Sequence, residues 1–332
     1  MAADPMGAPR GDAAAAEPGN TPTVRQYLPR VAAAASPASA RTYSTYWARM
    51  VDLWGDQPVS SIRATDVEAL QRSCAARARP RERNYRGGRH AGENANAAAR
   101  AFFRRAEADG IIPVGSSPAH QVPKPRRLPS TRRALLPWEL QAITETVRTS
   151  GNDVVLDSLL LRLHTETACR RGGALALRTS DLDVDNGLVQ LREKGETMRW
   201  QPITLTLASR LADHARIRGA ARADEPLLRY RNGRPITSRR YDHLWKRIGE
   251  RLPWVAAQGI STHWFRHTTL TWVERNFSYG IARAYAGHTD NTGPATTTYI
   301  KADIHAVATA LSALTGEAHP LALSSEELGF LT

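Results

Sequence analysis

The sequence predicts a mainly α protein with one small β-sheet: a helical bundle followed by a larger α+β domain. Three observations predict it. Most apolar residues recur at helical spacing between Pro and Gly punctuation, one stretch near residue 190 alternates around a Lys-Gly-Glu turn, and a proline-rich basic segment divides the chain.

Residues 1–20 are rich in Ala, Pro and Gly with little to bury, so a disordered tail is expected there. From Thr23 to about Gly110, "TVRQYLPRVAAA", "SARTYSTYWARMVDLWG", "RATDVEALQRSCAARA" and "NANAAARAFFRRAEADG" read as helices, which sets a first domain at 21–116. Thr65 or Asp66 is placed to cap one of them, and Gly55 and Gly110 stand where left-handed C-terminal caps fall. Residues 117–134 are a linker. "SPAHQVPKPRRLPSTRRALLPW" has five prolines, the cations Lys124, Arg126, Arg127, Arg132 and Arg133, and no acid, which suits either a stiff strap along phosphates or a solvated joint.

The second domain, 135–316, opens with helical "PWELQAITETVRTS" and "DVVLDSLLLRLHTET" and turns to β in "LVQLREKGETMRWQPITL", which reads as a hairpin. Helices resume in "TLASRLADHARIRG", "SRRYDHLWKRIGERL", "HWFRHTTLTWVERN" and "ADIHAVATALSAL". The tail, 317–332, has a cap at Ser324 or Ser325 and an apolar end, suited to a neighbouring protomer, to folding back, or to fraying.

Lys and Arg outnumber Asp and Glu by 45 to 32 in 332 residues, and the resulting +13 points to a polyanionic partner, most simply nucleic acid. Cys74 and Cys169 have no CxxC spacing, so neither a disulfide framework nor a cysteine zinc site is expected, and a reducing cytoplasm fits. No stretch is apolar enough for a membrane span, and neither a phosphate-binding GxxxxGK[ST] loop nor an acidic cluster for two metals is present. No cofactor is expected.

Candidate chemistry sits in short segments that are weak one by one. Arg170 follows a buried-looking helix and precedes the apolar run from Ala174 to Leu177, a rigid mount for a guanidinium that offers two parallel hydrogen bonds to a phosphate; alone it reads as an ordinary ion pair. In "STHWFRHTT", a cap at Ser261 or Thr262 puts His263 and Arg266 three apart on one helical face. A phosphate held between them is one reading, an interior histidine the other. Tyr299, in "AGHTDNTGPATTTYIKAD", is a nucleophile only with a base or a strong positive field nearby, and otherwise packs as an aromatic. His288 precedes it. Lys194, at the hairpin tip, is placed to protonate a leaving oxygen or simply to be solvated.

Taken in order, Arg170, Lys194, His263-x-x-Arg266, Gly287-His288 and Tyr299 resemble the active-site set of the tyrosine recombinase, or phage integrase, family. "TACRRGGALALRTSDLD" is similar to its first-arginine box, "EKGETMRWQPI" to its β-hairpin lysine segment, and "THWFRHTTLTWV" to its HxLRHT box. "AAARAFFRRAEADGIIPVGSSPAHQVPKPRR" looks like the end of its helical core-binding domain and linker. The resemblance implies a SAM-like core-binding domain and a catalytic domain joined as a C-shaped clamp on double-stranded DNA, a homotetramer assembled on inverted-repeat sites, and strand exchange through a 3′-phosphotyrosyl bond without metal or ATP. It also implies roles: Tyr299 as nucleophile, Arg170 and Arg266 on the nonbridging oxygens, His263 as proton acceptor, Lys194 as donor to the leaving oxygen, and His288 on the phosphate. An accessory directionality factor is a further partner of that class, and a nucleoid-bound bacterial protein is its setting. Rival readings are a type IB topoisomerase-like nicking and closing enzyme and an integrase-derived DNA-binding regulator without catalysis. Two departures stand out. Gly173 occupies the position, three after the arginine, where the family commonly has an acid, and the interval from His288 to Tyr299, with Gly293-Pro294 inside it, is longer than usual.

Overall fold

The computed structural model describes residues 21–78, 88–123, 132–192, 198–287 and 304–323. The chain divides into two compact units, Met1–Leu128 and Pro129–Thr332. The expected tail at 1–20, the cations Lys124, Arg126 and Arg127, the site candidates Lys194, His288 and Tyr299, and the apolar C-terminal end at 324–332 lie outside the described residues.

The first unit is helical: α1 (Val24–Ala33), α2 (Pro37–Trp54), α3 (Ala64–Ala76), α4 (Arg89–Ala108) and α5 (Pro118–Gln121). A capping box of Thr23 and Gln26 starts α1, and Ser36 caps α2 ahead of a proline in its first turn. Helix α4 buries Ala95, Ala98, Ala99 and Ala106, and this small-residue face lets α3 approach closely while Phe102 and Phe103 fill the centre. Two expected caps differ from the sequence reading. Asp66 stands inside α3 and accepts from the Arg63 backbone N–H at 2.8 Å, and Gly55 has a right-handed backbone, φ −51°, so only Gly110, φ +69°, takes the left-handed form. Residues 117–123, expected in the linker, instead form α5 and its exit. Ala119 and Val122 are buried there, and Arg100 donates to both of their carbonyls.

The second unit contains α6 (Pro137–Thr149), α7 (Val154–Thr167), α8 (Arg171–Leu175), α9 (Leu205–Ile217), α10 (Ser238–Arg251), α11 (Pro253–Ala257), α12 (Thr262–Asn276), α13 (Tyr279–Ala286) and α14 (Ile304–Thr315). The sheet is antiparallel in the order β1 (Leu182–Asp183), β2 (Leu188–Arg192), β3 (Met198–Pro202). Its β2–β3 register pairs Leu191 with Arg199, and the link between these strands carries Lys194, as the alternating pattern predicts. Helix α13 was not predicted, because eight residues that include a glycine give too little periodicity to read. Helix α7 is the centre of this core, with Leu156, Leu160 and Leu163 fully enclosed.

That core also encloses a charge. Asp157 of α7 is fully buried and accepts from Arg240 at 2.7 Å and Arg247 at 2.5 Å, both on α10, which locks the two helices in register. Removing the carboxylate leaves two guanidinium groups against a dry surface. Asp157→Ala is therefore expected to destabilise the second unit by about 3–5 kcal/mol, read from urea unfolding of the whole chain.

Candidate active site

Helix α12 carries two of the sequence candidates, His263 and Arg266, and its contacts reach the segment of a third, Arg170. It starts after Ser261, as the cap predicted, although the serine side chain makes no cap bond. Arg266 is 4% exposed, and its guanidinium donates to the Ala168 carbonyl at 2.5 Å and to the Ala286 carbonyl at 2.7 Å. Ala168 is the C-cap of α7 and stands two residues before Arg170, while Ala286 ends α13 next to Gly287. One buried cation thus joins the negative ends of two helices and draws the first-arginine segment and the Gly-His segment together.

The local backbone is shaped for these contacts. Ala168 is left-handed, φ +49°, the only non-glycine with positive φ among the described residues. The turn lifts the chain out of α7 and mounts Arg170 as the residue before α8, where the Arg170 carbonyl accepts from the Ala174 N–H at 3.2 Å. Gly287 is also left-handed, φ +66°, and a Cβ there would fall 2.3 Å from Nε of Arg199. Arg199, on β3, donates to the Thr167 carbonyl at 3.4 Å and to the Gln201 side chain. The hairpin is thereby fastened to the same junction of α7 and α13.

The site is electrically one-sided. His263 keeps an exposed surface, yet desolvation by the surrounding protein, and then the charges of Arg132, His267, Arg266 and Arg170, push its pKa from 6.5 down to about 4. His267, with its ring edge-on to His263 at 5.0 Å between centroids, is lowered by burial and by Arg132 and Arg266. Both imidazoles are neutral at pH 7, so His263 has a lone pair with which to accept a proton. Arg170, His263 and Arg266 therefore share one electrostatic neighbourhood. Arg132, read from sequence as a strap residue, joins them.

Arg133 does not. Its guanidinium forms a fork with the buried Glu139 carboxylate, 2.6 Å on each side, and pins the strap to the first turn of α6. Arg199, His267 and Arg132 are the site residues that sequence reasoning missed or placed elsewhere. Alternation along β3 was the available signal for Arg199, since it shares a face with Gln201 while Met198 and Trp200 are exposed on the other. Gly173, at the position of the expected acid, is buried with space for a Cβ only 3.4 Å from the Arg192 carbonyl. Among the described residues, no group of three His, Cys, Asp or Glu side chains could hold a metal ion, and no helix is long and apolar enough to cross a membrane.

The model of the phage integrase family matches residues 133–304. The chain is 24% identical over 241 residues to a tyrosine recombinase XerC of Roseiflexus castenholzii, covering 70% of this chain and 73% of that protein. To the tyrosine recombinase XerC of Chlamydia trachomatis it is 26% identical over 200 residues, 58% of this chain and 61% of the relative. A lambda integrase tetramer bound to a Holliday junction has a similar fold, with a TM-score of 0.60 at 16% identity over 86% of this chain and 79% of that one. The Tn1549 transposon integrase in complex with transposon right end DNA superposes with a TM-score of 0.61 at 16% identity, covering 85% and 95% of the two chains.

Two outcomes are expected from this geometry. Replacing Ala168 with glycine removes the clash of a left-handed Cβ and should raise stability by about 1 kcal/mol, measured as a higher midpoint in thermal unfolding. Burial depresses His164 and His214 to about 4 as well, so with His263 they stay neutral in the fold while the unfolded chain binds protons near pH 6.5. Stability is then complete above pH 6.5 and is lost as pH falls from 6.5 towards 4. Denaturant unfolding at pH 7 and pH 5 should show the difference, and His214→Asn should reduce it.

Proposed function

The chain belongs to the phage integrase family, and on that premise we propose that it is a site-specific recombinase which cuts and rejoins DNA through a phosphotyrosyl bond on Tyr299. The observation that carries this reading is the Arg266 bridge, which gathers the Arg170 segment, His263 and the Gly287 end of α13 around one cationic point. A phosphodiester is the group that such a point accommodates, because its two nonbridging oxygens accept from guanidinium donors and its charge neutralises theirs.

The step balances as follows. The Tyr299 oxygen attacks phosphorus while its proton passes to neutral His263. The bond from phosphorus to the 5′ oxygen breaks, and Lys194 gives that oxygen a proton. Arg170 and Arg266 take the nonbridging oxygens, with His288 donating to one of them. The phosphate is now an ester of tyrosine, so a 5′-hydroxyl from another strand reverses the step and reseals DNA with no external energy source. Negative charge from bound DNA offsets the cations around His263 and raises its basicity when the proton must be accepted.

Other phenols nearby are spoken for, which supports Tyr299. Tyr285 is fully buried and donates to the Glu166 carbonyl, and burial pushes its pKa far up. Tyr241 is buried with its hydroxyl on His164. The stretch carrying His288 and Tyr299 runs between two packed ends, Ala286 of α13 and Val307 of α14. Duplex binding is further served by the exposed face of α10, where Arg239, His243 and Lys246 share one helical side. Related integrase structures hold DNA as dimers and as a tetramer on a Holliday junction, which supports a homotetramer acting on two sites. The division at residue 128 supports a separate helical DNA-binding domain ahead of the catalytic one.

A nicked suicide substrate built on candidate attachment DNA tests the reading. The wild-type chain is expected to accumulate a covalent protein–DNA adduct. Tyr299→Phe should abolish it while DNA binding persists. Binding without any adduct from the wild type identifies a DNA-binding regulator instead, and nicking and closing by a monomer identifies a topoisomerase-like enzyme.

A further inference from the structure

A polar chain buried beneath Arg170 has no part in the mechanism above. His164, on α7, is 1% exposed. Its Nδ1 stands 3.1 Å from the Cys169 carbonyl oxygen and 3.4 Å from the Cys169 sulfur, and its Nε2 stands 2.9 Å from the Tyr241 hydroxyl on α10. The ring of Tyr241 meets that of His164 edge-on, 5.5 Å between centroids.

A carbonyl only accepts, so the Nδ1 of His164 must carry the hydrogen. Nε2 is then a lone pair, and the Tyr241 hydroxyl donates to it. The tautomer is set by both neighbours together. The carbonyl so held belongs to the peptide that joins Cys169 to Arg170. The preceding carbonyl, of Ala168, is the one that Arg266 holds. Helix α10 also grips the far side of Arg170, because Asp242, next to Tyr241, pairs with Arg171 at 3.3 Å.

We infer that Tyr241 and His164 form a two-bond relay that fixes the Cys169–Arg170 peptide and thereby positions the Arg170 guanidinium against the scissile phosphate. They are positioning residues and touch no substrate. The relay supplies support that an acidic side chain at position 173 cannot give here, where Gly173 stands buried against the Arg192 carbonyl. The inference rests on the role proposed for Arg170. Removing the Tyr241 hydroxyl leaves the hydrogen on Nδ1 but takes away the bond that holds the imidazole from the α10 side, so the ring and the carbonyl it binds lose their fixed position.

The test uses the full chain and the suicide substrate, with Tyr241→Phe, His164→Asn and Arg170→Lys. Nitrogen-15 spectra of the wild type should show His164 with hydrogen on Nδ1. Tyr241→Phe should bind the DNA as the wild type does yet form adduct up to about a hundredfold more slowly, the order of loss expected when a reacting group is displaced by about an ångström. His164→Asn keeps a donor in the place of Nδ1 and should recover most of the rate. In the Arg170→Lys background Tyr241→Phe should cost little more, because the positioned group is already altered. Hydrogen on Nε2 in the wild type, full-rate cleavage by Tyr241→Phe, or equal losses in both backgrounds overturns the relay. A wild type with the expected tautomer that binds DNA but forms no adduct sinks the recombinase reading, and supports the relay as a fixed geometry.

Discussion

The site depends on one buried cation. Arg266 sits at 4% exposure because two backbone carbonyls, those of Ala168 and Ala286, present themselves at the ends of α7 and α13. A guanidinium taken from water to such a place loses hydration that two good hydrogen bonds and two helix dipoles must replace. That requirement works in both directions. The helices hold the arginine, and the arginine dictates how closely the helix ends approach, so the segments carrying Arg170 and Gly287 have no independent freedom.

From this follows a tension between folding and binding. Arg132 and Arg266 crowd both His263 and His267, Arg170 adds its charge at His263, and burial together with these cations brings the pKa of His263 down to about 4. Like charges so arranged repel one another, a cost that the carbonyl bonds of Arg266 offset. They become favourable when an anion arrives, and a phosphate with two charged-group partners and a neutral imidazole beside it is the complement of this field. The buried ion pairs lie elsewhere. Asp157 of α7 pairs with Arg240 and Arg247 of α10, while Asp153, the N-cap of α7, pairs with Arg218 at the C-cap of α9 at 2.6 and 2.8 Å, and these pairs carry the packing. Helix α10 thus has a structural side facing α7 and, at Tyr241 and Asp242, groups that reach toward both neighbours of Arg170.

Much of this was legible in one dimension. Amphipathic spacing revealed the long helices, the alternation from Leu188 to Pro202 revealed the hairpin, and the order of Arg170, Lys194, His263, Arg266, His288 and Tyr299 pointed to the family. Those signals are local, since each needs only a few consecutive side chains to repeat or to match. What escaped was short or depended on contacts between distant segments. Helix α13 was too brief to show a period, the exit of the first unit at α5 looked like linker because prolines flank it, and Gly55 suggested a left-handed cap where the backbone is right-handed.

The sequence by itself determined the fold class and the family, because residue type and spacing are written along the chain. Only the tertiary structure decided which cations serve the site and which serve the scaffold. Arg132 and Arg133 are neighbours of equal charge, yet one lies beside His263 and the other is bound to Glu139. Burial and partner geometry separate them, and both are properties of segments brought together in space that no stretch of sequence contains.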